Sequence, residues 1–338
     1  MNKTRILVST SNNPWFNLAV EEVIFEKMSP EHRVLFIWRN TDTVVIGRAQ
    51  NPWRECNVTR MEEDNVKLAR RRTGGGAVFQ DTGNTNFTFM AGKPEYDKTV
   101  STNIVLDALK LLDIDALANG RNDLVVQDGD ILRKFSGSAY RETKDRGFHH
   151  GTLLLHADLN RLASYLTPNP KKLAAKGITS VKSRVTNLDQ IKQGIDHDVV
   201  SGALIDAYLD YYTVDVEVEC IAPGDTADLP GLDEIFQFYS SWDWNYGKTP
   251  EFTHLLDERF NWGGVEVFLN VANGRIQDAR LYTDSLDPSP FEQLAENIKG
   301  SGYNQREVGA HLEALIASNH ANEEPLQEFR TWLMRAIA

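Results

Sequence analysis

Between two segments that read as β-strands, the stretch Lys67–Phe87, KLARRRTGGGAVFQDTGNTNF, places three arginines, a threonine and three glycines in a row. "VKLARR" (66–71) ahead of the glycines, and "AVFQD" (77–81) and "TNFTFMA" (85–91) after them, have strand-like patterns with turn residues between. Glycine permits positive φ and lets a ligand approach the backbone where a Cβ would collide. Three in succession, Gly74 to Gly76, leave consecutive N–H groups able to form an anion-binding concavity. The neighbouring guanidiniums offer fork-shaped donors suited to phosphate or carboxylate. The combination fits a loop wrapped around an anion; a glycine-rich turn beside a solvated basic strand is the plainer alternative.

Working outward, Asn13 followed by Pro14 starts a helix, with Glu21 and Glu22 early in it and Phe16, Val20, Val23 and Ile24 on one face. "RVLFIW" (33–38) and "TDTVVIGR" (41–48) read as strands buried on both faces. On the other side, a helix is predicted from Lys98 to Asp113, burying Ile104, Val105, Ala108, Leu111 and Leu112. "DLVVQDGDILRKFSGSAYRE" (123–142) holds two strands about the turn QDGD, and "HHGTLLLHAD" (149–158) one more. A short helix near Arg161–Leu166 leads into a polar, lysine-rich stretch from Thr167 to Leu188 without apolar periodicity, a length of irregular chain that is usually functional or mobile. "GGVEVFLNVANGRIQDARLYTD" (263–284) is a hairpin about the type I′ pair Asn273-Gly274, and two or three helices follow. The expected organisation is α+β: a larger domain over 1–245, a linker over 246–252 and a small domain of hairpin plus helices over 253–338.

A chain of 338 residues has room for about two domains and a core that needs no disulfide or metal. Cys56 and Cys220 have neither disulfide nor zinc-ligand spacing, which favours a reducing compartment and a cytoplasmic location. The apolar run near the start is too short for a signal peptide or membrane span. The net charge of -12 argues against nucleic acid as the main partner.

Familiar phosphate motifs fail. "WDWNYGKT" has Trp242 where a G-x-x-x-x-G-K-[ST] loop requires glycine, and no G-x-G-x-x-G follows a strand. Lys134 in "ILRKFSGSA" would share a strand face with Ser136 and Ser138, either as a site lysine or as a surface lysine on an edge strand. His149 and His150 point to opposite faces of their strand, so a shared metal ion is disfavoured against structural or single hydrogen-bonding roles. Ser138 lacks the G-x-S-x-G elbow. Asp123 could face an amine, or simply begin a strand.

Taken together, "RRRTGGGAVFQD", "GRNDLVV", "RKFSGSAYRE", "HHGTLLL" and "KKLAAKGITSVKSRVTNL", in this order, resemble the lipoate–protein ligases, and the resemblance covers nearly the whole chain in its long bacterial two-domain form. It implies a mixed β-sheet catalytic domain of the biotin/lipoate ligase (class II synthetase-like) type plus a small C-terminal α+β domain. It implies ATP-dependent formation of lipoyl-adenylate, with Mg2+ as the nucleotide complex, and transfer to a lysine of apo lipoyl domains. Those domains belong to E2 subunits of 2-oxo acid dehydrogenases or to the glycine-cleavage carrier protein, and the enzyme would act as a monomer without nucleic-acid or membrane partners. By match to the family motifs, Lys134 and Asp123 are catalytic. Arg71, Gly76, Ala77, Val78, Phe79 and Lys134 bind ATP, and Trp38, Arg71, Gly74, Gly75, Lys134 and His150 bind lipoate. Lys176, Gly177 and Arg184 belong to a loop covering the adenylate, and Arg141, Lys144 and Arg146 are candidates for receiving an acidic lipoyl domain. Gln80 stands where family members commonly carry His, and Phe135 where a smaller aliphatic residue is usual. The alternatives are an octanoyltransferase of the same fold, which would need a cysteine nucleophile, a biotin-type ligase, and a non-catalytic binder of lipoyl domains.

Overall fold

The side chain of Asn13 accepts the N–H groups of Trp15 and Phe16, and Pro14 takes the first helical position, where its missing N–H costs nothing. The helix Pro14–Lys27 that follows is buried on nearly every side, Glu21 and Glu22 included. These two carboxylates lie in mid-helix, not early in it as expected. In this computed structural model all residues are described except 1–3, 121, 167–184, 225–228, 247–253, 273–274, 304 and 338.

Strand β1 (Thr4–Ser9) runs parallel to β2 (Arg33–Trp38) in a mixed eight-stranded sheet. Strands β3 (Thr43–Ile46), β4 (Lys67–Arg70) and β5 (Val78–Gln80) form a separate small sheet in the order β4-β3-β5, so the arginine–glycine stretch joins its two edges. The large sheet continues with β6 (Asn84–Gly92), β7 (Ala116–Asn119), β8 (Asp123–Asp128), β9 (Ile131–Glu142), β10 (Arg146–Leu154) and β11 (Val218–Ile221), in the order β11-β1-β2-β6-β10-β9-β8-β7. Helices Lys98–Leu111 and His197–Tyr212 cover one face through Ile104, Val105, Leu204 and Tyr208; helices Pro14–Lys27 and Leu232–Ser240 cover the other through Phe25, Phe36, Met90 and Tyr239. In helix Lys98–Leu111 the buried apolar stripe is Ile104, Val105, Ala108 and Leu109, while Leu111 is 62% exposed, against expectation.

The C-terminal part has its own core. Strand β12 (His254–Phe260), unforeseen from the sequence, joins β13 (Gly263–Ala272) and β14 (Arg275–Thr283) in an antiparallel sheet. Three helices, Ser289–Asn297, Gln305–Ser318 and Glu323–Ala336, pack on it through Phe291, Leu312 and Phe329. The expected turn pair Asn273-Gly274 lies outside the described residues. The chain is thus α+β, a mixed-sheet domain plus a small C-terminal α+β domain.

Candidate active site

All three arginines of the opening stretch point at protein, not into open space. Arg70 donates to the carbonyl oxygens of Gly47, Arg48, Gln50, Trp244 and Asn245. Arg71 donates from Nε to Thr73 Oγ1 (3.0 Å), from one terminal nitrogen to Val45 O (3.2 Å), and from the other to Gly74 O and Gly76 O (2.8 Å each). Burial lowers the pKa of both guanidiniums to about 10, still well above neutrality. Arg72 lies 3.1 Å from the Glu22 carboxylate and over the rings of Phe238 and Trp244. The positive charge of this stretch therefore braces a folded loop, because guanidinium forks match carbonyl oxygens as well as they match phosphate.

The glycines also have a partner other than a ligand. A Cβ on Gly74 would sit 2.5 Å from the carbonyl oxygen of Leu286 and closer still to that of Ser285. Gly75 has φ +91 and donates its N–H to Ser285 O at 3.0 Å. Gly74 and Gly75 thus admit the backbone of the C-terminal domain, and Gly74 does not line the cavity beside the loop.

That cavity, about 300 Å³, is lined by Arg71, Gly75, Gly76, Ala77, Val78 and Phe79 of the loop and β5, and by Trp38, Asp123, Lys134 and His150 of the large sheet. Residues Arg259, Asn261, Trp262, Asp284 and Leu286 of the C-terminal domain complete it. Lys134 reaches it through a bulge. Val125 pairs with Lys134, Leu124 with Ser136 and Asp123 with Gly137, so one extra residue is accommodated at Phe135. Phe135 turns into the core with Leu124, and Lys134 lies across Gly137, where a Cβ would be 2.7 Å from Nζ. The Lys134 ammonium meets Asp123 Oδ1 at 2.6 Å. The bulge corrects the expected face: Ser138 hydrogen-bonds toward Tyr140, and Lys134 shares its side with Gly137 rather than with Ser136 and Ser138. Phe135 fills this core position completely, with no exposed surface.

A buried polar chain, not foreseen from the sequence, links the sheet to the loop. Trp38 Nε1 donates to Thr88 Oγ1 (3.1 Å), and Thr88 donates to Glu21 Oε1 (2.6 Å). His150 Nδ1 lies 2.9 Å from the same oxygen, and its Nε2 lies 2.9 Å from Thr73 Oγ1, which accepts from Arg71. A tautomer with the proton on Nδ1 is compatible with every bond, the Thr73 hydroxyl donating to Nε2. The signal in the sequence is the pair Glu21-Glu22, carboxylates set between the apolar residues Val20 and Val23 of this helix. Gln80 joins a second chain, accepting from Asn40 (2.7 Å) and donating to Asn86 (2.7 Å) on the cavity wall.

The adjacent His149 faces the opposite core, with Nδ1 2.7 Å from Ser101 Oγ; burial, then the charges of His150 and Lys98, hold its pKa down to about 3. Cys56 is buried and its thiol is pushed up to about 12, chiefly by burial, and Cys220 lies on the far edge strand β11; neither lines the cavity. Thiolate-based acyl transfer therefore has no nucleophile at this site. Arg141 pairs with Glu22 and Glu26, and Arg146 donates to Phe25 O and Met28 O, so both are built into the fold rather than set out for a partner. Lys176, Gly177 and Arg184 lie outside the described residues, and only the following Val185, bridged to Lys134, is placed at the cavity.

Two family descriptions match the chain: the lipoyl protein ligase A/B catalytic domain over residues 13–209 and the bacterial lipoate protein ligase C-terminus over 249–333. Among solved structures, P. falciparum LipL1 in complex with lipoate is 32% identical, with 98% of this chain and 99% of that chain covered and a TM-score of 0.85. The bipartite lipoate protein ligase of Thermoplasma acidophilum, described with its E2 lipoyl domain, is 28% identical over 75% of this chain and 100% of that chain (TM-score 0.63). A lipoate-protein ligase A bound with ATP is 27% identical over 73% of this chain and 99% of that one (TM-score 0.61).

Proposed function

The chain belongs to the lipoate–protein ligase family, and from that premise we propose that it joins lipoate to a lysine of apo lipoyl domains by way of lipoyl-adenylate. A lipoate carboxylate oxygen attacks the α-phosphorus of ATP, the bond to the β-phosphate oxygen breaks, and pyrophosphate leaves. The lysine amine of an E2 subunit or of the glycine-cleavage carrier protein then displaces AMP and forms the amide. One observation carries this reading: a lysine, a buried histidine–carboxylate chain, an apolar wall and a braced glycine loop converge on one cavity. Both reactants of the first step are anionic, so a preorganised cation must offset their repulsion. Lys134 is placed for that task as a compact point charge, with Asp123 fixing its direction.

In this reading Gly76–Phe79 hold the nucleotide, and Trp38 and His150 line the acyl end. Arg71 lines the cavity and acts on both through the loop it braces. Mg2+ enters only as part of the nucleotide complex. There the phosphates would supply its ligands. Two free cysteines suit a cytoplasmic setting, and among the described residues no helix is long and apolar enough to cross a membrane. We place the domain junction at residues 246–252.

ATP–pyrophosphate exchange, run separately with lipoate, octanoate and biotin, tests the reading. Exchange driven by lipoate is expected, and exchange driven by biotin alone would refute it. Lys134→Ala should lower exchange about 100-fold or more, the scale of one preorganised donor, with the circular dichroism unchanged; full activity in that variant would end the proposed role. Asp123→Asn should slow transfer from preformed lipoyl-adenylate, and an unaltered transfer rate removes Asp123 from the second step.

A further inference from the structure

The cations that the sequence offered for an anionic ligand, Arg70 and Arg71, are consumed by carbonyl oxygens, and Arg72 by Glu22. A triphosphate would bring several negative charges beside Lys134, itself tied to Asp123. The C-terminal domain supplies another cation. Arg259, at the end of β12, lines the cavity and is held by Asp284, just past β14. The pairing is end-on: Nη1 alone donates to both carboxylate oxygens, at 2.7 and 2.6 Å. Among the described residues Nε and Nη2 of Arg259 carry no side-chain hydrogen bond. These two parallel N–H groups form the edge of the fork that matches a phosphate.

The support beneath this arginine is built. Asp284 also accepts the N–H of Gly264 at 2.7 Å, and its side chain is only 5% exposed. The next residue, Ser285, takes the N–H of Gly75, so Arg259 is tied to the glycine loop through its ion pair with Asp284, one peptide link and one hydrogen bond. We propose that Arg259 binds the β- and γ-phosphates of ATP during adenylation and stabilises the departing pyrophosphate, with Asp284 as its positioning residue. This rests on the ligase reading above. Arg259 thereby acts in the first chemical step and not in the second, because pyrophosphate has left before the acceptor lysine attacks.

The test compares wild type, Arg259→Gln and Arg259→Lys in three assays: lipoate-dependent exchange, half-saturation by pyrophosphate in that exchange, and acyl transfer from synthetic lipoyl-adenylate to an apo lipoyl domain. Arg259→Gln should lower exchange about 100-fold and raise the pyrophosphate half-saturation, with transfer within about 2-fold of wild type. Arg259→Lys, which keeps the charge but loses the fork, should recover part of the exchange. If Arg259→Gln depresses both half-reactions equally with pyrophosphate half-saturation unchanged, the arginine is only a structural tie and the proposal falls. Should Arg259→Gln fail to fold, Arg259→Lys decides by the same half-saturation, and an unchanged value overturns the proposal. Wild type without lipoate-dependent exchange sinks the ligase reading itself, whereas normal wild-type exchange with a fully active Arg259→Gln sinks this inference alone.

Discussion

A guanidinium whose every nitrogen is bonded within the fold works as a bracket, and Arg71 meets that description. Lysine cannot replace it, since one ammonium cannot reach Val45 O, Thr73 Oγ1, Gly74 O and Gly76 O in their separate directions. Each lost bond to a charged donor is worth about 1.5–3 kcal/mol. Arg71→Lys is therefore expected to lower the melting temperature by several degrees together with lipoate-dependent exchange. An arginine whose main use was to touch phosphate would lose exchange with the melting temperature unchanged, and calorimetry beside the exchange assay separates the two. The sequence singled out this residue and its neighbours but not their direction. Carbonyl and phosphate oxygens attract the same fork, and only the arrival of Val45 from β3 and the way the glycine loop itself folds back decide between them.

Alternation along β10 was legible and has a thermodynamic consequence. His149 and His150 diverge as successive strand residues must, one into the core with Ser101, Phe87 and Tyr140, the other toward Glu21 and Thr73. For His149 the folded pKa, about 3, lies below the unfolded value near 6.5. The unfolded chain then binds one more proton between these limits, so the stabilising effect is complete above about 6.5 and is lost as pH falls toward 3. Its contribution to the slope approaches about 1.4 kcal/mol per pH unit within that window. His149→Phe, which keeps a ring beside Phe87, should flatten the dependence of denaturant stability on pH between 6.5 and 4 relative to wild type. Equal slopes would mean that His149 is not held neutral. Other features of the elements could not be read in advance. The bulge at Phe135 is set by how β9 pairs with β8, and the burial of Leu109 instead of Leu111 by which side of helix Lys98–Leu111 packs into the core beside helix His197–Tyr212.

Among the described residues the apolar clusters of the large and small sheets are separate from the one confined to the C-terminal sheet and its helices, and the two parts meet across a seam. The hairpin of the C-terminal domain was plain in the sequence, whereas β12 and the seam were not, because a seam depends on shapes brought together from distant parts of the chain. Its contacts include the backbone bonds of Gly75 N–H to Ser285 O and Thr283 N–H to Ala49 O (2.8 Å), and Arg48, which pairs with Glu292 at 3.0 Å and donates to Ser289 Oγ at 3.1 Å. Gly74 is the point of closest approach. A methyl group there would meet the carbonyls of Ser285 and Leu286, backbone that cannot swing aside as a side chain can. Gly74→Ala should therefore part the seam at a cost of about 1–3 kcal/mol, the usual range for overpacking. Because each core is self-contained, the loss should appear as uncoupling rather than global collapse: two resolved calorimetric transitions, the earlier one lower than in wild type. The matched control is Gly202→Ala in helix His197–Tyr212, where nothing lies within 4 Å of the added methyl, and where helix propensity favours alanine by about 0.5–1 kcal/mol. If Gly74→Ala melts as Gly202→Ala does, the glycine is not there for the neighbouring domain, and the phosphate-facing explanation of the triple glycine regains its standing.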